Sequence, residues 1–426
     1  MNKKEVHTST SAEALLQAYL ATRALTKEIC EPLQSEDFVV QPSEEVSPPK
    51  WHLAHTTWFF ETFLLVKYVA DYQLFDKDYP YLFNSYYEHE GERWQRQHRG
   101  LLTRPWVKEI MAYRNYVDEH LVQFFSNNKC SEEQQRICWI GIHHEQQHQE
   151  LLVYDIKYIL GVNPLFPVYR NSQATIKEKK QESDQLWLSV DEGLYEIGYD
   201  GKAFHFDNEE GKHTSFLHAY AIQNQLVTNG EYLEFIESGG YDDFRYWLME
   251  GFEWVKANEV TVPMYWLKKD HQWMHYTLAG LQPIDPLLPV AHVSFYEADA
   301  FARWRGCRLP TEFEWEIACQ KYSPEIPEEA NLLDKRNYSP QVKHKDNLQF
   351  YGDLWEWTQS AYLPYPYYEK VEGALGEYNG KFMVNQMVLR GGSYATLPQH
   401  IRPTYRNFFH PEMRWQLSGI RLAKHT

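Results

Sequence analysis

The sequence predicts an α+β protein of two domains, a four-helix bundle followed by a mixed domain of loops and short strands. Three observations carry that prediction. Four long segments before residue 170 keep apolar residues at helical spacing. A strongly polar stretch from Asn171 to Asp184 then interrupts the chain, and beyond it Gly, Pro, Trp and Tyr become dense while helical periodicity fades. At 426 residues the chain exceeds one typical domain, and the boundaries fall at 1–170 for the helical bundle, 171–185 for a polar linker and 186–426 for the mixed domain.

Taken in order, Ala12 to Ile29 sets Leu15, Leu16, Tyr19 and Leu20 at the helical period. Pro49 to Val69 follows, with Leu53, Trp58, Phe59 and Leu64 as its apolar positions, and then Trp106 to Phe125 and Glu132 to Leu160. The connection from Ala70 to Pro105 is long for a bundle, and long loops on a rigid scaffold tend to carry function. In the second half, helical patterns are confined to short pieces near Asn229 to Ser238, Phe295 to Arg305 and Thr311 to Gln320.

Composition narrows the function. Lys plus Arg total 42 against 59 Asp plus Glu, a formal net charge of −17, which argues against a nucleic-acid or anionic-membrane partner. No segment approaches the roughly 20 uninterrupted apolar residues that span a bilayer. The N-terminus, Met1-Asn2-Lys3-Lys4, is followed by no apolar run, so no signal peptide is expected. Cys30, Cys130, Cys138, Cys307 and Cys319 are scattered without metal-finger spacing and read as reduced thiols of a cytoplasmic protein. No obligatory protein partner is evident.

The chemistry concentrates in His143-His144-Glu145-Gln146-Gln147-His148-Gln149-Glu150. His144 and His148 stand at i and i+4 and project from one helix face, with His143 about 100° away around the helix. The same residues satisfy H-E-x-x-H, in which Glu145 is the general base of a zinc peptidase. That reading needs a further ligand, and the Gly-x-x-His extension of one such class is missing after His148. A second segment, Trp51-His52-Leu53-Ala54-His55-Thr56-Thr57-Trp58, offers His52 and His55 on another helix. A histidine from it joining His144 and His148 gives three neutral nitrogen ligands with open positions, a set that suits zinc or ferrous iron. His52 is expected to cap its helix or hydrogen-bond locally.

The second half carries a resemblance. Pro289-Val290-Ala291-His292-Val293-Ser294-Phe295-Tyr296-Glu297-Ala298, Arg308-Leu309-Pro310-Thr311-Glu312-Phe313-Glu314-Trp315-Glu316, Gly352-Asp353-Leu354-Trp355-Glu356-Trp357-Thr358, Val388-Leu389-Arg390-Gly391-Gly392-Ser393-Tyr394 and Ser418-Gly419-Ile420-Arg421-Leu422-Ala423 resemble the serial signatures of the formylglycine-generating-enzyme-like domain, a C-type-lectin-like fold. Such an enzyme works through copper-binding cysteines just after the Gly-Gly-Ser motif. Here Tyr394 to Arg402 contains no cysteine, so the parent chemistry is not expected. A DinB-like bundle carrying H-x-x-H and H-E-x-Q-H ahead of this domain resembles the sulfoxide synthases of ergothioneine biosynthesis.

That resemblance implies an Fe(II) centre held by His55, His144 and His148. It implies the substrates too, trimethylated histidine, a cysteine-type thiol and dioxygen, with sulfur joined to the imidazole C2. By the same resemblance Gln147 contacts the imidazole substrate, and Tyr86 and Tyr87 match an active-site tyrosine pair able to give a proton. Tyr365, Tyr367 and Tyr368 form a second tyrosine cluster for that role. Arg96 and Arg99, three apart in the long loop, offer a clamp for substrate carboxylates. Asn407 and Phe408 match positions that hold the trimethylated amino acid, whose quaternary ammonium favours aromatic faces. Phe409 and Met413 stand where one branch has an Asp and an Arg for gamma-glutamylcysteine, which favours free cysteine as donor. Rival readings are a selenoneine or ovothiol-type synthase on the same scaffold, a DinB-type zinc-dependent thiol transferase, and a non-catalytic binding protein.

Overall fold

The computed structural model describes residues 12–85, 91–127, 130–171, 185–342, 348–369 and 379–426. Tyr86, Tyr87 and residues 172–184, most of the expected linker, lie outside the described residues. The chain forms two compact units, one running to Tyr169 and including Gly201–Phe204, the other formed from Arg170 onward.

The first unit is built on α1 (Ala12–Cys30), α2 (Pro49–Phe60), α3 (Val107–Asn127) and α4 (Glu132–Gly161). Helix α1 buries Leu15, Tyr19, Thr22, Thr26 and Ile29, a stripe at three- and four-residue spacing that packs on α3 and α4. Helix α4 starts cleanly because Ser131 caps it. The Ser131 hydroxyl accepts from the Gln134 N–H and the Gln134 side chain accepts from the Ser131 N–H. Helix α2 is buried along all 12 residues, packed against both α3 and α4, and so forms the centre of the unit. Where α2 and α4 cross, Gly141 leaves room for Phe59 and Phe60: a Cβ there would stand 2.5 Å from the Phe60 ring.

Helix α2 does not run straight on as its sequence pattern suggests. It passes into a π-helical turn at Glu61–Leu65 before a last helical piece at Val66–Tyr68. The buried Glu61 carboxylate accepts from the hydroxyls of Tyr72 and Tyr113 and from the Phe75 N–H, drawing the following chain onto α3. Nor is the 70–105 connection a plain loop. Tyr79–Phe83 forms a short helix whose Tyr79 ring packs edge-on against Tyr113, and Arg96–Leu101 forms a 3-10 turn. The Lys50 ammonium, donating to the carbonyls of Leu102 and Pro105, ties the end of this segment to the start of α2.

In the second unit, Trp187–Val190, Tyr220–Gln223 and Ala423–His425 make one antiparallel sheet, with the strand nearest the C-terminus against the middle one. Trp355–Ala361, Met387–Arg390, Asn407–Phe409 and Ser418–Gly419 make a four-stranded sheet with one parallel pairing. Gly193–Ile197 pairs with His213–Leu217, and Trp266–Pro283 folds into a three-stranded meander. Three helices, Asn229–Glu237, Phe295–Trp304 and Glu312–Tyr322, each open on a Ser or Thr capping box with Glu at the third position. A fourth, Met249–Ala257, opens at Leu248 with no side-chain cap, which is why its sequence gives no start signal.

With so little regular structure, the unit is held by indoles and buried ion pairs. Trp315, Trp355 and Trp357 are fully buried. The Arg390 guanidinium donates to Glu312 and Glu316, and Arg421 grips both oxygens of Glu356, which also accepts from the Trp315 indole. Each charge is paired inside a dry core, so removing one partner leaves the other exposed to its full desolvation cost. Immediately after Arg390, Gly391 and Gly392 hold φ at +98° and +81°, a conformation that favours glycine.

Candidate metal centre

The helices of the first unit bring His55 from α2 and His144 and His148 from α4 together. One ligand atom from each lies within 4.8 Å of the others, and this is the metal-competent group of His, Cys, Asp and Glu among the described residues. The Nε2 atoms of His55 and His144 are 3.2 Å apart. The His55 ring lies between two indoles, stacked on Trp51 at 4.5 Å and on Trp58 at 5.5 Å, while Phe59 packs on His144. These walls exclude water from two of the three imidazoles, and His148 is partly open.

Burial sets the protonation of the group. His144 is held down to about 3, chiefly by desolvation, against a smaller opposing pull from Glu145. Desolvation first, and then the neighbouring histidines, push His55 and His148 well below the ordinary imidazole value. All three are therefore neutral at physiological pH, the form that binds metal. His55 is oriented from behind: its Nδ1–H donates to the Phe83 carbonyl at 2.6 Å, leaving Nε2 for a ligand. The donor set thus fits a divalent metal with open positions, and no carboxylate belongs to it.

The zinc-peptidase reading of H-E-x-x-H fails on Glu145. Its carboxylate is fully buried and points away into the bundle, accepting from Arg23 at 2.9 Å, Arg114 at 2.8 Å and Thr26 at 2.6 Å. Burial alone raises a carboxyl, but the two guanidinium charges and these hydrogen bonds outweigh it and hold Glu145 at about 2. A group so placed has no proton-accepting role at the metal.

His52 departs from the sequence expectation. Instead of a local cap, its Nδ1 meets the Nδ1 of His148 at 2.8 Å and its Nε2 meets Asp155 at 2.9 Å, across to α4. The two arginines do not form one clamp. Arg96 is exposed and donates to the carbonyls of Glu44 and Glu45, whereas Arg99 is buried, donates to the hydroxyls of Ser47 and Ser85, and lies over the Trp51 ring. Gln147 is half-buried on α4 beside His148. In the second tyrosine cluster, Tyr365 is locked on Glu312 and Arg390, Tyr368 donates to Asp207, and Tyr367 is exposed.

In the second unit, Asn407, Phe408 and Phe409 form an edge strand, all half-buried. Phe408 stacks on Tyr362 at 4.1 Å and lies near Phe382, and Phe409 meets Trp415 edge-on. The Asn407 side chain accepts from the Phe408 N–H. Sequence reasoning missed Tyr362, Phe382 and Asp155. Only Asp155 left a signal, an acid seven residues beyond His148 on the same helical face.

Three neutral imidazoles that could hold a metal ion lie in a helical unit, in one chain with a unit of short sheets and buried ion pairs. Residues 172–426 match the family model described as "Sulfatase-modifying factor enzyme 1-like domain". The hercynine oxygenase of Mycobacterium tuberculosis is 32% identical over 305 residues, covering 66% of this chain and 70% of that protein. Ergothioneine biosynthesis protein 1 of Schizosaccharomyces pombe is 27% identical over 254 residues, 57% of this chain and 30% of that one. The formylglycine-generating enzyme of Bos taurus is 27% identical over 267 residues, 53% of this chain and 70% of that one. The chain belongs to the ergothioneine sulfoxide synthase family. Among the described residues, no helix is long and apolar enough to cross a membrane.

Proposed function

We propose that this protein is a cytoplasmic, oxygen-using enzyme of ergothioneine biosynthesis, with Fe(II) held by His55, His144 and His148 in a DinB-like bundle at 1–170. It joins the thiol of cysteine, or of gamma-glutamylcysteine, to C2 of trimethylhistidine as the sulfoxide. The observation that supports this most is the histidine set: three neutral imidazoles, two of them buried, without a carboxylate, in a chain of this family. Ferrous iron held there supplies the redox chemistry that couples dioxygen reduction to carbon–sulfur bond formation.

The chain's own residues do the rest. Trp51 and Trp58 keep water from the His55 face, so charges meeting there act at low dielectric. Arg99 offers a fixed cation to a substrate carboxylate, and Gln147 contacts the substrate imidazole. Asn407 and Phe408 hold the trimethylammonium group, while Phe409 stands where a glutamyl-binding acid would be needed, which favours free cysteine. Tyr86 or Tyr87 gives the proton that dioxygen reduction consumes. The substrates are small molecules, and neither nucleic acid, membrane nor an obligatory protein partner is required.

The test is anaerobic loading with Fe(II), then trimethylhistidine, cysteine or gamma-glutamylcysteine, and air-saturated buffer, with products read by mass spectrometry. A C–S-linked sulfoxide that vanishes in His144→Ala is the expected result. No coupled product with either thiol, together with tight zinc binding, would overturn it in favour of a zinc-dependent thiol transferase. Replacing the sulfur donor by selenocysteine, or trimethylhistidine by histidine, separates the sibling synthases.

A further inference from the structure

Behind the ligand His148 lies a chain of hydrogen bonds that the proposed metal centre does not by itself require. His52 and Asp155 are each about 2% exposed, and His52 stands between the Asp155 carboxylate and the His148 ring with contacts of 2.9 and 2.8 Å. The carboxylate only accepts, so the proton on His52 sits on Nε2. For His148 to offer its Nε2 lone pair to a metal, the hydrogen between the two rings belongs to Nδ1 of His148 and is accepted by Nδ1 of His52.

The same oxygen of Asp155 also accepts the Ser47 N–H at 2.9 Å, and the Ser47 hydroxyl accepts from Arg99 at 2.9 Å. Asp155 is thereby fixed by backbone, and its orientation is tied to the segment that carries Arg99. Arg99 also covers Trp51, whose other stacking partner is His55. Two of the three ligand rings are thus set from one side of the unit.

We propose that His52 and Asp155 are positioning residues for the metal: the Asp155–His52–His148 chain fixes the tautomer and tilt of His148 so that Nε2 faces His55 and His144. The inference rests on the metal reading given above. Its logic is that of a second layer of hydrogen bonds behind a ligand, whose loss typically weakens metal binding 10–100-fold. Glutamine can replace His52 in kind, since its carbonyl accepts from His148 and its amide donates to Asp155. Leucine fills similar space and does neither.

The experiment uses the full chain, metal-free, titrated anaerobically with Fe(II) against a competing chelator, in wild type, His52→Gln, His52→Leu and His148→Ala. Affinity should fall about 10–100-fold in His52→Leu and stay within roughly threefold of wild type in His52→Gln. Wild-type affinity in His52→Leu, with loss in His148→Ala, overturns the relay and leaves the metal reading intact. Equal binding by wild type and His148→Ala overturns the metal reading itself. A second measurement needs no variant of His52: nitrogen-15 NMR of the metal-free wild type, with His148 assigned by its loss in His148→Ala. A proton on Nδ1 of His148 supports the relay, and a proton on Nε2 overturns it.

Discussion

Replacing Glu145 by glutamine separates the two meanings of H-E-x-x-H. The variant keeps the shape of the side chain and removes its charge between Arg23 and Arg114, both almost wholly buried. In the folded protein the carboxyl titrates at about 2 against an ordinary 4.5, and at about 1.4 kcal/mol per pH unit the charge stabilises the fold by about 3 kcal/mol at neutral pH. Because the folded value is the lower one, that stability is complete above pH 4.5 and disappears as pH falls towards 2. Breaking a buried ion pair by removing one partner costs about 3–5 kcal/mol, and the lower end applies because Arg23 keeps Asp118 at 2.7 Å. Glu145→Gln should therefore lower the melting temperature of the helical unit by roughly 6–12 °C, read by far-UV circular dichroism. At 10 °C, where it stays folded, it should still bind metal and turn over. A variant of wild-type stability that binds metal but has lost turnover would show Glu145 acting as a chemical base and refute the reasoning.

Other outcomes follow from the same geometry. In the metal-free protein, His144 binds its proton near pH 3 when folded and near 6.5 when unfolded, so stability should fall between those values by about 5 kcal/mol from this residue alone. Urea midpoints across pH 3–7 check it, and a flat profile would contradict a buried neutral triad. Gly141→Ala sets a methyl 2.5 Å from the Phe60 ring and should destabilise the unit by about 1–3 kcal/mol, measured by urea unfolding; an unchanged midpoint would mean the α2–α4 crossing is looser than described. Phe408→Ala should raise KM for trimethylhistidine about tenfold with little change in kcat, and an unchanged KM would remove Phe408 from the ammonium site.

What was legible in the sequence was what depends on neighbours along the chain. The four long helices announce themselves by periodicity and, for α4, by the Ser131 to Gln134 cap; three of the short helices carry their own capping boxes. The pairing of His144 with His148 needs only helical spacing. What depends on distant partners was hidden. The fate of Glu145 is decided by Arg23, 122 residues earlier, and that of His52 by Asp155, 103 residues later. Arg96 and Arg99 look equivalent three residues apart, yet Ser47 and Ser85 claim one and surface carbonyls the other. The π-turn at Glu61–Leu65 follows from a buried carboxylate meeting Tyr72 and Tyr113, which no local pattern encodes.

The ring of Phe204 lies flat on His143, 3.7 Å away and 8° from parallel, and His143 is the residue just before His144. Phe204 comes from a four-residue piece, Gly201–Phe204, that belongs to the helical unit although the chain reaches it only after the first strands of the other. Anyone wishing to express the helical unit alone by stopping the gene at residue 170 would therefore amputate part of it. The protein purified from such a clone would present an uncovered imidazole and aromatic contact surface beside its ligand helix. A split that keeps the helical unit whole has to be made by permutation or by co-expression, with the piece of chain through Phe204 retained.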